Sequence, residues 1–382
     1  MATHFCKLRV KDVRRETPEC VSIALEIPAA LQDAFRYKQG QNITIRSQTG
    51  GEEIRRSYSI CSSPLDDELR IAVKQVPGGR FSCYANEKLR TGEMLDVLPP
   101  SGKFYTELAP GQKRSYLAFA AGSGITPILS LIRTTLATET QSHFTLVYGN
   151  RHRSSIIFKE ALEDLKDRYM DRMALHHILS RETMDSSLNQ GRIDAEKCAE
   201  LCGRAIDPQQ ADEIFLCGPG EMIFTVRDWL EQKGVDKKKI HFELFHTREG
   251  TPQGASSNSG PVNADGHDTS PVRRKARSVG DIAPDTEKLT SKVTIRLDGS
   301  SFDFDLAYDG EAILDAALRE GADLPFACKG GVCCTCRANL KEGKVEMDVN
   351  YALEADELAA GFILTCQSHP RSDRVVIDFD TK

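Results

Sequence analysis

Four cysteines near the end of the chain have the type and spacing to hold a metal core. Cys328, Cys333 and Cys336 read C-x4-C-x2-C, and Cys366 follows at a distance. That is the spacing of plant-type [2Fe–2S] ligation. Three thiolates from one loop must converge on a small inorganic core, so the backbone has to curl tightly. Gly330 and Gly331 permit that path because glycine has no Cβ to clash. The fourth thiolate can arrive from elsewhere, since it closes the site only on folding. Such a cluster passes one electron at a time, which places the chain in an electron-transfer path. A structural zinc site is the competing reading, but zinc sites commonly come as paired C-x2-C units. Cys334 sits beside Cys333 as a possible rival ligand. Spacing favours Cys333 and leaves Cys334 as a polarisable filler near the cluster, open to oxidation.

Two further constellations could handle phosphates and rings. Arg56-Ser57-Tyr58-Ser59 lies on a strand-like run, and Gly78-Gly79-Arg80-Phe81-Ser82 opens a helical one. A glycine-rich turn at a helix start presents free N–H groups to a phosphate, and an arginine adds a charge-assisted pair. A ring such as Tyr58 covers a flavin face. Farther on, Ala121-Gly122-Ser123-Gly124-Ile125-Thr126-Pro127 follows a strand and opens a helix, with Pro127 expected at its first position. In that context the glycines form a pyrophosphate cradle for a nicotinamide dinucleotide. Cys217-Gly218-Pro219-Gly220-Glu221-Met222 again links a strand to a helix. Tyr148-Gly149-Asn150-Arg151 and Ser180-Arg181-Glu182 bring arginines to the expected ligand edge. Arginine there favours a 2′-phosphate over a ribose hydroxyl, so NADPH is expected. The plainer readings are a buried strand-end thiol for Cys217 and solvated loop charges for Arg151 and Arg181.

Elements must position these groups. Short strand-like runs at 8–10, 21–25, 42–45, 57–60 and 69–73 predict a small β-barrel. Apolar runs at 116–121, 144–148, 173–179, 213–217 and 240–244 alternate with helical stretches. That rhythm predicts a parallel sheet covered on both faces, with ligands at its C-terminal strand ends. Residues 248–290 are rich in Gly, Ser, Pro and Asp and read as a flexible linker, including the basic Arg273-Arg274-Lys275-Ala276-Arg277. Residues 292–306 read as a hairpin around Asp298-Gly299. With 382 residues the chain has room for two or three domains. A net charge of −6 argues against a nucleic-acid partner, and no apolar run approaches a membrane span. The start lacks a signal-peptide plan, and twelve scattered cysteines suit a reducing cytoplasm.

The segment from Ile313 to Cys336 resembles plant-type ferredoxins, and the two upstream halves resemble the ferredoxin–NADP reductase superfamily through R-x-Y-S, G-S-G-I-T-P, C-G-P and Pro100-Ser101-Gly102-Lys103-Phe104. The resemblance implies a multidomain fold. An antiparallel β-barrel flavin domain would span 1–109 and an α/β parallel-sheet nucleotide domain 110–247. A linker would fill 248–290, and an α+β β-grasp ferredoxin domain 291–382. It implies FAD, with Arg56 on its phosphate, Ser57 in the same motif, Tyr58 against the isoalloxazine and Ser59 near its N5 edge. Gly79 and Ser82 would hold the pyrophosphate. Gly122, Gly124 and Thr126 would cradle the nicotinamide dinucleotide. Cys217, Gly218 and Pro219 would lie by the nicotinamide, with Ser59 and Cys217 nearest the chemistry, and Arg151, Ser180 and Arg181 on the 2′-phosphate. The domain order is similar to reductase components of bacterial multicomponent oxygenases. Electrons would then run from NADPH through FAD and the cluster, near about −400 mV, to a partner diiron oxygenase. No diiron signature lies in this chain. A reductase for a different oxygenase, or a non-enzymatic electron carrier, are the alternatives.

Overall fold

The computed structural model describes residues 4–49, 52–245, 262–263 and 289–381. The chain divides into two compact units, Met1–Pro252 and Gln253–Lys382.

The first unit begins with six strands: β1 (Cys6–Thr17), β2 (Cys20–Glu26), β3 (Asn42–Thr49), β4 (Glu52–Ser59), β5 (Leu69–Lys74) and β6 (Met94–Ser101). They pair antiparallel in the order β4-β3-β6-β1-β2-β5. An Ile60↔Ile71 bridge joins the outer edges, so the sheet closes into the expected barrel. Alternation drives closure: Leu8, Val10, Ile23, Ile43, Ile45 and Val97 all point into a fully buried interior. β6 carries no strand signal in the sequence because Pro99 and Pro100 disguise its end. The register slips between Asn42 and Thr44 opposite them, a bulge that lets the prolines pass without ladder bonds. One helix, α1 (Arg80–Glu87), follows β5.

A parallel sheet completes this unit. Its strands are β7 (Ser115–Ala121), β8 (His143–Asn150), β9 (Met173–Leu179), β10 (Glu213–Gly218) and β11 (Ile240–Leu244), in the order β11-β10-β7-β8-β9. Helices α2 (Ile125–Thr138), α3 (Lys159–Arg168), α4 (Ala195–Cys202) and α5 (Gly220–Gln232) connect them. The order reverses at β7, where a crevice opens above the carboxyl ends. Cys20, Cys61 and Ala72 of the barrel half share one buried cluster with Ile128 and Leu131 of α2 and Phe215 of β10. Barrel and sheet therefore pack as one body. One expectation needs correction: Pro127 is the third residue of α2, not the first. A 3-10 turn over Gly122–Gly124 starts the winding early. Proline is tolerated there because the first four N–H groups of a helix lack intrahelical acceptors anyway.

In the second unit, β12 (Val262–Asn263), β16 (Lys344–Met347) and β18 (Ser368–Pro370) form a small antiparallel sheet. A mixed sheet takes β13 (Thr290–Leu297), β14 (Ser300–Ala307), β15 (Arg337–Glu342), β17 (Phe362–Leu364) and β19 (Arg374–Asp378) in the order β14-β13-β19-β15-β17. β13 and β19 run parallel, as a β-grasp requires, with α6 (Ile313–Arg319) and α7 (Ala355–Ala359) beside the sheets. Asp298 (φ 51°) and Gly299 (φ 72°) make the two-residue left-handed turn of the expected hairpin. The expected linker, with its basic stretch, lies outside the described residues except at two places. Residues 289–290 lead into β13, and Val262–Asn263 pairs with Val345 and Lys344. A linker without strands is thus corrected at that pair, where the open edge of β16 offers backbone groups to a neighbour. Among the described residues no helix is long and apolar enough to cross a membrane.

Candidate functional site

The carboxyl ends of β7–β10 open on a cavity of about 640 Å³. Of the residues expected to meet the nucleotide, Gly122, Arg151, Ser180, Arg181, Gly218 and Pro219 line it. Gly124, Thr126 and Cys217 are not part of its wall. Gly124 sits behind, so close to β10 that a Cβ would stand 2.1 Å from the Cys217 carbonyl oxygen. Thr126 Oγ1 donates to the Ser123 carbonyl at 3.0 Å and braces the glycine turn. Cys217 is fully buried. Burial, with a smaller push from the Glu243 charge, holds its thiol protonated, well above the usual range. Lys74, Arg192 and Phe245 also line the cavity, although no motif singles them out. Among the described residues, the guanidinium groups of Arg151, Arg181 and Arg192 make no ion pair. The acidic Asp194 on the same wall is engaged as the N-cap of α4, accepting from Lys197 N at 2.8 Å. The wall is therefore ready for an anion.

One carboxylate joins the barrel to the sheet. Ser59 Oγ donates to Glu243 Oε2 at 2.8 Å, and Asn42 Nδ2 reaches Glu243 Oε1 at 3.5 Å. Glu243 on β11 is in register with Cys217 on β10. The two residues expected nearest the chemistry, Ser59 and Cys217, thus flank one acid that the sequence reading missed. Its signal was faint: a single acid in the short strand Ile-His-Phe-Glu-Leu.

On the flavin side, the Tyr58 ring lies 5.6 Å from Phe81, which brings R-x-Y-S against the start of α1. Desolvation raises the Tyr58 phenol, so it remains a neutral donor. Gly79 is the N-cap of α1 and brings no side-chain acceptor to its first N–H groups. Ser82 Oγ accepts from Val76 N at 3.1 Å and ties the turn together. A Cβ at Gly79 would stand 2.4 Å from that hydroxyl. Arg56 is exposed, donating to its neighbour's carbonyl at 2.7 Å, and Ser57 Oγ is 3.3 Å from Thr44 Oγ1.

In the second unit the four spaced cysteines meet as two pairs. The free thiol of Cys328 interacts with that of Cys333, and that of Cys336 with that of Cys366. The Cys333 contact, helped by the Gly330 and Val332 amides, draws the Cys328 thiol down to about 7 against the effect of burial. Cys366 is lowered by Cys336, then by Gln367 and the Gly331 amide. The loop is bent by left-handed residues: Lys329 (φ 50°), Gly331 (φ 74°) and Cys334 (φ 54°). Gly331 is the glycine the path demands, since a Cβ would stand 2.9 Å from the Val349 carbonyl oxygen. Gly330 carries no such demand, contrary to expectation: its nearest neighbour would be 3.8 Å away. Cys334 turns aside and donates to the Ala352 carbonyl at 3.3 Å. Among the described residues, no three or more His, Cys, Asp or Glu side chains converge on a single ion.

Family models match along the chain in the order of these sites: an oxidoreductase FAD-binding domain at residues 7–105, an oxidoreductase NAD-binding domain at 119–228 and a 2Fe-2S iron-sulfur cluster binding domain at 295–371. A component of the 1,2-phenylacetyl-CoA epoxidase of Escherichia coli K12 is 46% identical over 380 residues, covering 100% of this chain and 99% of its own. The ferredoxin reductase component of 3-ketosteroid-9-alpha-monooxygenase from Rhodococcus rhodochrous is 32% identical, covering 97% of this chain and 96% of its own. The chain belongs to the reductase components of oxygenases.

The reductase shares its fold with phthalate dioxygenase reductase, at TM-score 0.55 and 21% identity, with 98% of each chain covered. It is an oxidoreductase that uses FAD, a pyridine nucleotide and a [2Fe–2S] cluster. Its residues fit these groups. Convergent thiols with amide donors aimed at their sulfurs would hold the cluster, the uncapped start of α1 suits a flavin phosphate, and the basic wall suits a nucleotide. When bound, the three groups supply a hydride, its division into single electrons and a one-electron outlet. The protein supplies orientation and charge. The acidic stretch from Glu346 to Glu357 is largely engaged inside the reductase: Glu346 pairs with Arg371 at 2.8 Å, Asp348 with His369 at 3.1 Å, and Glu357 with Arg337.

Proposed function

We propose that this reductase passes electrons from NADPH through FAD and its cluster to a diiron oxygenase partner that epoxidises phenylacetyl-CoA. The carrying observation is the 46% identity to the epoxidase component along the whole of both chains. The preference for NADPH rests on Arg151, Arg181 and Arg192 lining the cavity beside Ser180 with no competing ion pair among the described residues. A 2′-phosphate would take up these charges. Ser59 and Glu243 hold the hydride-accepting edge in place, with the protonated Cys217 thiol behind the nicotinamide. Arg56 and the amides after Gly79 hold the flavin phosphates, and Tyr58 covers the ring. Cys328, Cys333, Cys336 and Cys366 ligate the cluster. The flavin part spans 1–109, the nucleotide part 110–247, a linker 248–290 and the cluster part 291–382. The reductase works in the cytoplasm, where its twelve free thiols stay reduced.

The test is NADPH-driven turnover of phenylacetyl-CoA by the purified oxygenase part of the epoxidase, with and without this chain. Product that depends on the chain supports the reading. Absence of product, with NADPH still reducing a dye, moves the protein to another oxygenase. The 32% identity to the ketosteroid monooxygenase component favours that second reading over a mere carrier.

A further inference from the structure

Four consecutive residues of the nucleotide cavity wall, Gly191, Arg192, Ile193 and Asp194, lie on no strand. They end the segment between β9 and α4, whose regular structure is one 3-10 turn over Ser187–Asn189. Gly191 N fastens this segment to β9, donating to the Leu179 carbonyl at 2.9 Å. Its far side needs a second anchor, because a loop held along one edge leaves a long arginine side chain many orientations.

Lys197, the third residue of α4, is that anchor. Lysine is rarely buried unless paired, yet this one is only 7% exposed. Its ammonium donates to the Ser187 carbonyl at 2.7 Å and to Glu200 Oε2 at 2.5 Å. Ser187 Oγ donates to Glu200 Oε1 at 3.2 Å. The Lys197 amide donates to Asp194 Oδ1 at 2.8 Å. One residue thereby ties both ends of 187–194. A Cβ at Gly191 would stand 3.9 Å from Lys197 Cε, so the lysine stem runs alongside the residue before Arg192. Lys197 does not line the cavity, and its charge is matched by Glu200. It can act on a bound nucleotide only through the segment it holds.

We propose that Lys197 is a positioning residue for nucleotide specificity: it holds Arg192 toward the 2′-phosphate and so sets the preference for NADPH over NADH. This rests on the proposed NADPH reading. A nucleotide without that phosphate makes no use of Arg192, so a loosened segment costs NADPH more than NADH. Removing the ammonium leaves the Ser187 carbonyl and the Glu200 carboxylate without their shared donor, which releases the far side of the segment.

The test is steady-state dye reduction by the full chain, loaded with flavin and cluster, with NADPH and with NADH. In Lys197→Met the ratio of kcat/KM for NADPH to that for NADH should fall by about threefold to tenfold, the worth of one hydrogen bond, and the fall should lie in the KM for NADPH. Equal loss with both nucleotides, or a fall in kcat alone, would make Lys197 a merely structural residue and overturn the proposal. Arg192→Ala separates the two layers of the argument. A ratio unchanged in Arg192→Ala removes Arg192 from the 2′-phosphate, and the nucleotide reading at this residue falls together with the proposal. A ratio lowered in Arg192→Ala but not in Lys197→Met sinks the proposal alone. In the double variant the Lys197 change should add nothing to Arg192→Ala, because it works through that side chain; additive losses count against it. Should Lys197→Met fail to fold, the partly exposed Glu200→Gln takes its place, since it strips the charge that holds the ammonium. It should lower the same ratio, and an unchanged ratio there overturns the proposal.

Discussion

The cluster loop and the nucleotide cavity hold their groups by opposite means. In the loop, a single stretch of nine residues supplies three of the four thiols, and the backbone does the aiming. Left-handed turns at Lys329, Gly331 and Cys334 point sulfurs and amides inward. In the cavity, the ends of four strands and the segments after them each contribute residues, and charge does the aiming. A local site with fixed geometry should fail all at once when one ligand is lost. A distributed site should lose affinity in steps.

The largest break in that comparison is Cys333→Ser. It removes one thiol of the Cys328–Cys333 pair, so cluster absorption and cytochrome c reduction should fall to background. Flavin bleaching by NADPH should keep its wild-type rate in stopped flow. A variant that keeps its cluster would transfer the ligand role to Cys334. Next comes Glu243→Gln, which removes the charge of the carboxylate that accepts from Ser59 at 2.8 Å. Flavin reduction should slow by about 100-fold, the scale of a lost positioned acid or base, while the KM for NADPH stays put. A rise in KM with an unchanged limiting rate would make Glu243 a binding residue instead. Arg181→Ala should act in the stepwise manner. The KM for NADPH should rise about tenfold to a hundredfold, as for one charge-assisted hydrogen bond, with NADH unaffected. Equal loss for both nucleotides would place Arg181 away from the 2′-phosphate.

That contrast also explains what the sequence could reveal. The four-cysteine constellation was legible because all but one of its members fall in one loop, where spacing is geometry. The strands of the parallel sheet were legible because burial on both faces makes them continuous apolar runs, as in Tyr116-Leu117-Ala118-Phe119-Ala120. β6 was not, because Pro99 and Pro100 hide a strand whose register bulge exists only after folding. Glu243 was not, because its meaning comes from Ser59, 184 residues earlier in the chain, and no local pattern marks that meeting. Lys74 and Phe245 were missed for the same reason: each reaches the cavity from an element with no motif of its own. Gly330 was over-read, since adjacency to a ligand suggested a constraint that falls on Gly331 alone.

A smaller effect separates the two regions by pH. Burial lowers the proton affinity of His176 and His177 on β9. The unfolded chain binds protons near the ordinary histidine pKa of about 6.5, and the folded chain binds them only below that. The unfolded state therefore holds more protons as pH falls, and stability drops on the acid side of that value. Thermal unfolding followed by flavin release should move down by a few degrees below about pH 6.5, and His177→Leu should flatten the slope. An unchanged slope in that variant would assign the acid loss to other groups.

The smallest effect belongs to Cys334→Ala, and it sharpens the ligand assignment most. Cys334 shares the loop with the ligands and carries a thiol, yet its φ of 54° swings the sulfur toward the Ala352 carbonyl, 3.3 Å away. A thiol is a weak donor, so losing that bond should change stability by less than about 1 kcal/mol. Visible absorption and the electron paramagnetic resonance signal of the reduced cluster should match wild type. A cluster lost in Cys334→Ala but kept in Cys333→Ser would reverse the assignment and make the spacing C-x5-C-x1-C. The backbone argues against that outcome, because Cys334 would have to leave the left-handed conformation that aims its sulfur at the Ala352 carbonyl.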